Sequence, residues 1–199
     1  MGDKVEMKNY LQELKDDAWR LGPDIVEMSD YVLDSKEFQT WSGSSTASQH
    51  HYGKGGLIRH SYEVIHIGYS VIDLLQPTVT KQEMFLAGLY HDVGKVKDYI
   101  HTDEEMSDWI STIHKRNIHH ISRSAIMWTK AVTELGLFKE LEDSILHAIL
   151  SHHGCREWGS PVAPNSQLAW LLHLSDGLSA RMDDCTKCDY LDIVKNKVK

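Results

Sequence analysis

The sequence predicts an all-α fold, a single helical bundle built from 199 residues. Only four prolines interrupt the chain, at positions 23, 77, 161 and 164, and most of the sequence between them has the spacing of amphipathic helices. No set of short segments alternates apolar and polar residues as strands do. Because the chain is long enough for one domain with a substantial core, we expect a single domain over residues 1–199.

The N-terminal part, residues 1–35, is expected to contain two helices, over 4–20 and 24–34, separated at Gly22-Pro23. Apolar residues line one face of the first helix, which would pack either on the core or on a partner, so a homo-oligomer is an open prediction. This stripe consists of Val5, Tyr10, Leu11 and Leu14. The next segment, 40–56, is rich in Gly and Ser and is predicted to be a loop.

The remaining helices form the expected core over residues 57–182, followed by a polar tail over 183–199. Thr80 and Glu83 have the spacing of a capping box at a helix start. The acidic stretch 98–108 is predicted to be an exposed loop or a short helix. Further helices are expected over 57–75, 117–134, 138–152 and 165–182, the last with Asn165 as its N-cap.

Composition and charge exclude several classes of protein. The net charge of −8 argues against a uniform basic surface, so long duplex nucleic acid is not an expected partner. The polar start MGDKVEMKNY is unlike a signal peptide, and no apolar run is long enough to span a membrane. We therefore expect a cytoplasmic protein without a membrane partner. Three cysteines make a disulfide framework implausible, and Cys185 and Cys188 are interpreted as surface thiols.

Histidine is unusually frequent, with 13 residues, and the positions of these histidines suggest a metal centre. Histidine and aspartate recur about one helix and one loop apart, and an antiparallel bundle can bring such positions to one central cleft. Imidazole together with carboxylate suits Mn, Fe, Co, Zn or Ni. The five positions are His60, His91-Asp92, His119-His120, His152-His153 and Asp176.

Asp176 is the most informative single residue, because it lies in the most apolar predicted helix, LAWLLHLSDGLSA. A buried acid needs a partner, either a hydrogen-bonding group or a metal. Of His119 and His120 only one is expected to be a ligand. His50 and His51, in the Gly/Ser loop, either line the cleft or have no role. Other histidines are interpreted as hydrogen-bonded core residues (His66, His147, His173) or as solvated residues (His101, His114).

The motifs H…HD…D, with the local form HDVGK at 91–95, resemble the HD-domain superfamily of metal-dependent phosphohydrolases. Four longer pieces are similar to the HD domain of bacterial YhaM-type 3′-to-5′ exoribonucleases. These are HHYGKGGLIRHSYEV, LAGLYHDVGKVKDY, HHISRSAIM and the segment SHHG-x-x-EWGSP followed by D-x-L-x-A-x-M-D. Together they cover about residues 25 to 184. Those exoribonucleases carry an additional N-terminal OB domain, which we do not expect within these 199 residues.

The resemblance implies two divalent ions, Mn, Co, Fe or Ni, that activate water for attack on phosphorus. Asp92 would bridge the ions. His60, His91 and Asp176 would hold one ion, and His120, His152 and His153 the other. Lys95 and Arg123 are predicted to contact the phosphate, each with a solvated helix residue as the alternative. Trp158 would either stack on a base or pack its own loop.

The expected function is hydrolysis of a phosphate ester in a nucleotide or a short oligonucleotide, and the sequence shows no base-reading motif. A YhaM-like 3′–5′ exonuclease is one alternative. Another is an HD-fold di-iron oxygenase that cleaves a C–C or C–P bond, because such enzymes use much the same ligands. A non-catalytic sensor is disfavoured because every expected ligand position is filled.

Overall fold

The computed structural model describes residues 9–186, with side chains to Asp183, and this part of the chain is mostly helical. The fold class predicted from sequence is therefore confirmed. The helices are α1 (Tyr10–Leu21), α2 (Pro23–Leu33), α3 (Lys36–Thr40), α4 (Gly56–Leu75), α5 (Lys81–Tyr90), α6 (Lys95–Asp98), α7 (Ile113–Asn117), α8 (His120–Leu135), α9 (Glu142–Ser151) and α10 (Gln167–Thr186). Strands β1 (Tyr99–His101) and β2 (Trp109–Ser111) form a hairpin, and short 3₁₀ helices cover Lys139–Leu141 and Arg156–Trp158.

Helix α5 lies at the centre of the bundle. Every residue from Met84 to Tyr90 is buried, and α2, α4, α8, α9 and α10 all pack against this helix. Gly88 allows α4 to approach closely, since a Cβ at this position would lie 2.6 Å from Ile65 Cγ1. A helix that is enclosed on all sides delivers the residues that follow it into the interior, and these residues are His91 and Asp92.

The predicted capping box at the start of α5 is present. The Thr80 hydroxyl accepts a hydrogen bond from the Glu83 backbone N–H, and Glu83 Oε2 accepts one from the Thr80 N–H. The N-cap predicted for α10 was wrong by one residue. Ser166 Oγ accepts from the Ala169 N–H, whereas the backbone N–H of Asn165 donates to His147 Nε2.

The apolar stripe of the first helix packs on the core in the part that the structure describes. Leu14 is fully buried, and Tyr10 and Leu11 are partly buried against the core. Val5 lies outside the described residues, and so do the side chains of Cys185 and Cys188. The described residues contain no helix that is both long enough and apolar enough to cross a membrane.

The acidic stretch 98–108 is the predicted loop, mostly exposed, only over 102–108, whereas Asp98 ends α6 and Tyr99–His101 form β1. Antiparallel pairing joins Tyr99 to Ser111 and His101 to Trp109. Trp109 is buried, with its ring edge-on to Trp41 at 5.1 Å between centroids. Strands of three residues are too short to produce a recognisable alternation in sequence, which explains why the hairpin was not predicted.

The helix predicted over 117–134 begins later than expected, at His120. Its predecessor His119 has a φ of 71°, in the left-handed region that interrupts a helix, and the residues before it form the separate helix α7. This break points His120, the first residue of α8, into the bundle. Gly94 makes room for it, because a Cβ at this position would lie 2.4 Å from His120 O.

Candidate metal centre

The predicted ligands come from the ends or the inner faces of five helices and converge on one interior space. Most of them follow or open a helix, where the change of chain direction aims a side chain inward. His60 lies on α4, His91 and Asp92 follow α5, His120 opens α8, His152 and His153 follow α9, and Asp176 lies on α10.

Asp92 is the centre of this convergence, and its two carboxylate oxygens face different histidines. Oδ2 lies 3.4 Å from Nε2 of both His60 and His91. Oδ1 lies 3.4 Å from His120 Nε2 and 3.6 Å from His152 Nε2. A carboxylate in this position has one oxygen for each of two cation sites.

The remaining ligand atoms form two groups around Asp92, and His91 of one group and His152 of the other also lie together with Asp92. Within each group the candidate ligand atoms all lie within 4.8 Å of one another. One group is His60, His91 and Asp176, and the other is His120, His152 and His153. These are the two sets that the sequence analysis paired with two ions. Of the His119-His120 pair, it is His120 that joins a set containing His152 and His153.

The backbone holds two of the imidazoles by their Nδ1 atoms. His91 Nδ1–H donates to Gly88 O at 2.8 Å, and His152 Nδ1–H donates to Ile149 O at 2.6 Å. Because Nδ1 carries the proton, the lone pair of each neutral ring lies on Nε2, which faces Asp92. This is how proteins orient and fix the tautomer of metal-ligating histidines.

Several polar atoms in this space have no satisfactory partner without a cation. The Nε2 atoms of His60 and His91 face each other at 3.2 Å, and those of His120 and His153 at 3.4 Å. Asp92 Oδ1 and His152 Nε2 are buried and accept no hydrogen bond within the described residues. Buried polar atoms are normally paired, so these residues fit divalent metal ions.

Both carboxylates of the site are held in the ionised form. Burial would raise the pKa of Asp92, but the ammonium of Lys95 and the imidazoles of His91 and His120 hold it well below its usual value. Burial would likewise raise the pKa of Asp176, and its hydrogen bond to His60 lowers it instead. Ionised carboxylates are the form that binds metal.

Two histidines of the second group, His120 and His153, are held neutral. Burial lowers the pKa of His120 to about 4, and burial together with the neighbouring His152 lowers the pKa of His153 to about 2. Neutral imidazole keeps the lone pair that a metal requires. His60 differs, because burial lowers its pKa less than its contacts with Asp176 and Asp92 raise it, so this corner of the site favours positive charge.

Lys95 lies inside the site and is not a solvated residue at a helix end. It is 5% exposed, and its Nζ lies 2.6 Å from Asp92 Oδ2. Burial lowers its pKa, but the charge of Asp92 outweighs that effect and raises it. Lys95 is therefore an ammonium in direct contact with the central carboxylate.

Asp98 was missed as a site residue, because the sequence analysis assigned it to an exposed acidic stretch. It is fully buried, and its Oδ2 accepts hydrogen bonds from the backbone N–H of His120 and from His120 Nδ1–H, at 3.0 and 3.1 Å. Its Oδ1 accepts from His114 Nδ1–H at 2.7 Å, so His114 is not a solvated residue either. The sequence offered one signal, the spacing: Asp98 lies six residues after Asp92, at the end of the short helix α6.

Arg123 lies at the outer end of this chain of contacts. Its Nε–H donates to His114 Nε2 at 3.2 Å, and His114 in turn donates to Asp98. The predicted phosphate contact of Arg123 stays a prediction. Its observed contact links it to His120 through two intervening side chains.

A second missed network lies behind His60. Ser179 Oγ donates to Glu63 Oε2 at 2.9 Å and therefore accepts from His60 Nδ1–H, at 3.1 Å. Glu63 also accepts from His51 Nε2 and from Arg59 Nε, both at 2.8 Å. His51 therefore has a structural role behind the ligands. Nothing in the spacing of Glu63 and Ser179 in sequence could show that they meet.

A cleft of about 590 Å³ opens directly onto the ligands. Lys95, His152, His153 and Asp176 form its inner end, and His50 lines it as well. Its outer walls are formed by Trp158, His173, Leu174, Gly177, Leu178, Ala180 and Arg181. A substrate that entered this cleft would reach Asp92 from one side.

Comparison with protein families matches the HD domain over residues 57–181, which is more than half of the chain. The chain belongs to the HD-domain family. HD domains bind divalent metals, in agreement with the His and Asp groups described above.

Curated relatives of this HD domain are 3′-5′ exoribonucleases named YhaM. The protein of Bacillus pumilus is 32% identical over 81% of this chain and 50% of its own length. The proteins of Bacillus subtilis and Bacillus licheniformis are 29% and 31% identical, each over 87% of this chain and 52% of their own length. The chain thus spans about half the length of the curated relatives that it matches. No solved structure matches it.

Family and relatives together indicate a metal-dependent hydrolase. The recognition made from the HD motif and its neighbours is therefore confirmed. The division of the chain into residues 1–35, 57–182 and 183–199 remains a prediction, as do the roles of the individual site residues.

Proposed function

We propose that this HD domain hydrolyses phosphodiester bonds in short single-stranded oligonucleotides or in nucleotides, with two divalent transition-metal ions. His60, His91 and Asp176 would hold one ion, His120, His152 and His153 the other, and Asp92 both. Bound ions of this kind lower the pKa of water and neutralise charge that develops on phosphoryl oxygens. The exoribonuclease names of the relatives support a phosphodiester substrate, and RNA is the first to test.

The observation that carries the proposal is the placement of Asp92 between two histidine groups. Its oxygens lie 3.4 to 3.6 Å from four Nε2 atoms, two on each oxygen. A single structural ion would need only one of these groups. A carboxylate shared between two groups is the arrangement used by two-metal phosphoesterases.

The other residues of the chain orient this centre and receive the substrate. Lys95 is positioned to place an ammonium beside a phosphate oxygen at the inner end of the cleft, while it keeps Asp92 ionised. Asp98 and Ser179 hold His120 and His60 in orientation. The exposed side chains of Trp158, Leu174 and Leu178 line the cleft, so a substrate phosphate could reach Lys95 and Asp176 from solvent.

The test is a product-resolved hydrolysis panel with protein loaded with Mn²⁺ or Co²⁺. It compares short RNA, short DNA, cyclic nucleotides and nucleoside mono- and triphosphates. Asp92→Asn should abolish turnover, because it removes the shared ligand. Asp24→Asn is the matched control, since Asp24 is exposed on α2, and it should retain full activity.

Two results would reject the proposal. Turnover that survives in Asp92→Asn would place the chemistry elsewhere. No turnover of any substrate, together with two irons per chain and oxygen uptake, would favour the oxygenase alternative on the same ligands. Release of mononucleotides from one end of RNA would instead identify the YhaM-like exonuclease alternative.

A further inference from the structure

The outer part of the metal cleft carries an aromatic wall, formed by Trp158 and His173. The two rings lie 6.2 Å apart between centroids with their planes inclined by 33°. Trp158 is 66% exposed. Such exposure is unusual for a large apolar side chain beside a cleft. Leu174 and Leu178, on the same cleft, are 61% and 46% exposed.

A hydrogen bond and close packing fix this wall to the loop that carries the candidate ligands His152 and His153. His173 Nδ1–H donates to the backbone carbonyl of His152 at 2.8 Å. Gly154 lies against both rings, because a Cβ at this position would be 2.7 Å from His173 Cε1 and 3.2 Å from Trp158 Cε3. The φ of Gly154 is 92°, which also requires glycine. The loop that delivers His152 and His153 therefore also positions the wall.

The chemistry of the cleft changes along its length. Its inner end has Asp176, Lys95 and the paired histidines, which suit a phosphate and its metals. Its outer end has a flat aromatic face, two leucines and the cation Arg181. A ligand that is anionic at one end and flat and apolar at the other matches this order, and a nucleotide unit has that shape. The cleft volume of about 590 Å³ lies within the range of about 300–1,000 Å³ for small-molecule sites.

We propose that Trp158 and His173 form a base-stacking site that holds the nucleobase next to the phosphodiester being cleaved. The inference rests on the proposed function and deepens it, because it makes a base, and not only a phosphodiester, part of substrate recognition. Stacking is possible with every base, so this site favours nucleotides over other phosphate esters without selecting a sequence.

The experiment uses metal-loaded full-length protein and a dinucleoside monophosphate, with two analogues in which one base or the other is replaced by hydrogen. For wild type, loss of one of the two bases should raise KM by about 5-fold to 100-fold, the range of base–aromatic stacking. Trp158→Ala should raise KM for the intact dinucleotide by a similar factor, with little change in kcat. It should not raise KM further for the abasic analogue, whereas Trp158→Phe should retain most of the affinity.

Trp170→Ala is the matched control, because Trp170 has the same residue type and a similar exposure of 51%. Its ring also lies edge-on to His173, at 5.8 Å between centroids, but it lines a different groove, with Leu75 and Pro77. This variant should leave every KM unchanged. Metal content and melting temperature of each variant separate a stacking role from an effect on the loop at 152–159.

The inference is overturned if Trp158→Ala changes KM equally for the intact and the abasic substrates, or changes only kcat and metal content. If wild type cleaves none of these substrates, the proposed function fails, and binding decides the inference separately. Calorimetry with adenosine monophosphate and ribose 5-phosphate should then still show tighter binding of the base-bearing ligand, and Trp158→Ala should remove the difference. Equal binding of the two ligands by wild type would reject the stacking site.

Discussion

The buried carboxylate of Asp98 supports the clearest prediction about how the site is held together. Asp98 accepts three hydrogen bonds, two from His120 and one from His114. The tautomer of His114 is set from its other side, because Arg123 Nε–H donates to His114 Nε2. His114 must therefore donate from Nδ1. In Asp98→Asn, one side of the amide would present an NH₂ group to an N–H donor, whichever way the amide is turned.

The expected loss of stability in Asp98→Asn follows from this unpaired donor. A buried hydrogen bond to a charged acceptor contributes about 1.5–3 kcal/mol, and a donor left unpaired costs a similar amount, so Asp98→Asn should destabilise by about 2–4 kcal/mol. For a domain of this size the melting temperature should fall by about 5–15 °C. His120 would lose its fixed orientation, and such changes reduce metal affinity by about 10-fold to 100-fold.

The assay is competition between the protein and a chromophoric chelator for Mn²⁺ or Co²⁺, with thermal unfolding measured on the same samples. Asp108→Asn is the control, because Asp108 is exposed on the same hairpin and its Oδ2 accepts a bond from Thr102. It should leave metal affinity unchanged. If Asp98→Asn lowers the melting temperature but binds metal as tightly as wild type, Asp98 supports only the fold and the reasoning about His120 is wrong.

Three further predictions test the metal centre. Removal of metal by chelation should lower the melting temperature by several degrees, as measured by scanning fluorimetry. Return of Mn²⁺ or Co²⁺ at about 100 times Kd should restore about 2.7 kcal/mol of unfolding free energy. An unchanged melting temperature would argue against a metal bound in the folded state. Ser179→Ala should weaken metal binding about 10-fold through His60, whereas the exposed Ser70→Ala should not. Lys95→Met should destabilise the metal-depleted protein more than the metal-loaded protein, so that the metal-induced rise in melting temperature exceeds that of wild type.

The convergence of the candidate ligands on one interior space was predictable from sequence, because several of these positions follow a simple rule. Asp176 is an acid in an apolar helix, and the His91-Asp92 pair follows an enclosed helix, so each has to be compensated in the interior. The regular interval between the His and Asp positions then indicated a common cleft. The division of these positions into two groups around Asp92 came from the resemblance to HD-domain phosphohydrolases and not from their spacing.

The residues that orient the candidate ligands could not be predicted, because the contacts that identify them join distant parts of the sequence. Asp98 lies among acids that are exposed, and it is buried where its carboxylate meets His114 of α7 and His120 of α8, 16 and 22 residues away. Glu63 and Ser179 are 116 residues apart and meet only because α4 packs on α10. Sequence periodicity shows which face of a helix is buried, but it does not show which polar side chain of another helix lies opposite.

The contact between Lys95 and Asp92 bears on how an acidic chain could hold the two metals and the phosphodiester of the proposed function. If every imidazole, His60 included, gives up its proton as metal ligation requires, Asp92 and Asp176 carry two negative charges and Lys95 one positive charge, so the protein groups alone leave the site slightly negative. Two divalent ions would reverse this sign locally and make the inner cleft attractive to a phosphate, although the chain carries −8 overall. On the proposed function Lys95 and the ions would share the Asp92 carboxylate, so Lys95 would compensate Asp92 when metal is scarce and would be free to contact the substrate when metal binds. The Lys95→Met experiment separates this role from a simple phosphate contact, because a lysine that contacts only phosphate would leave the metal-induced stabilisation unchanged.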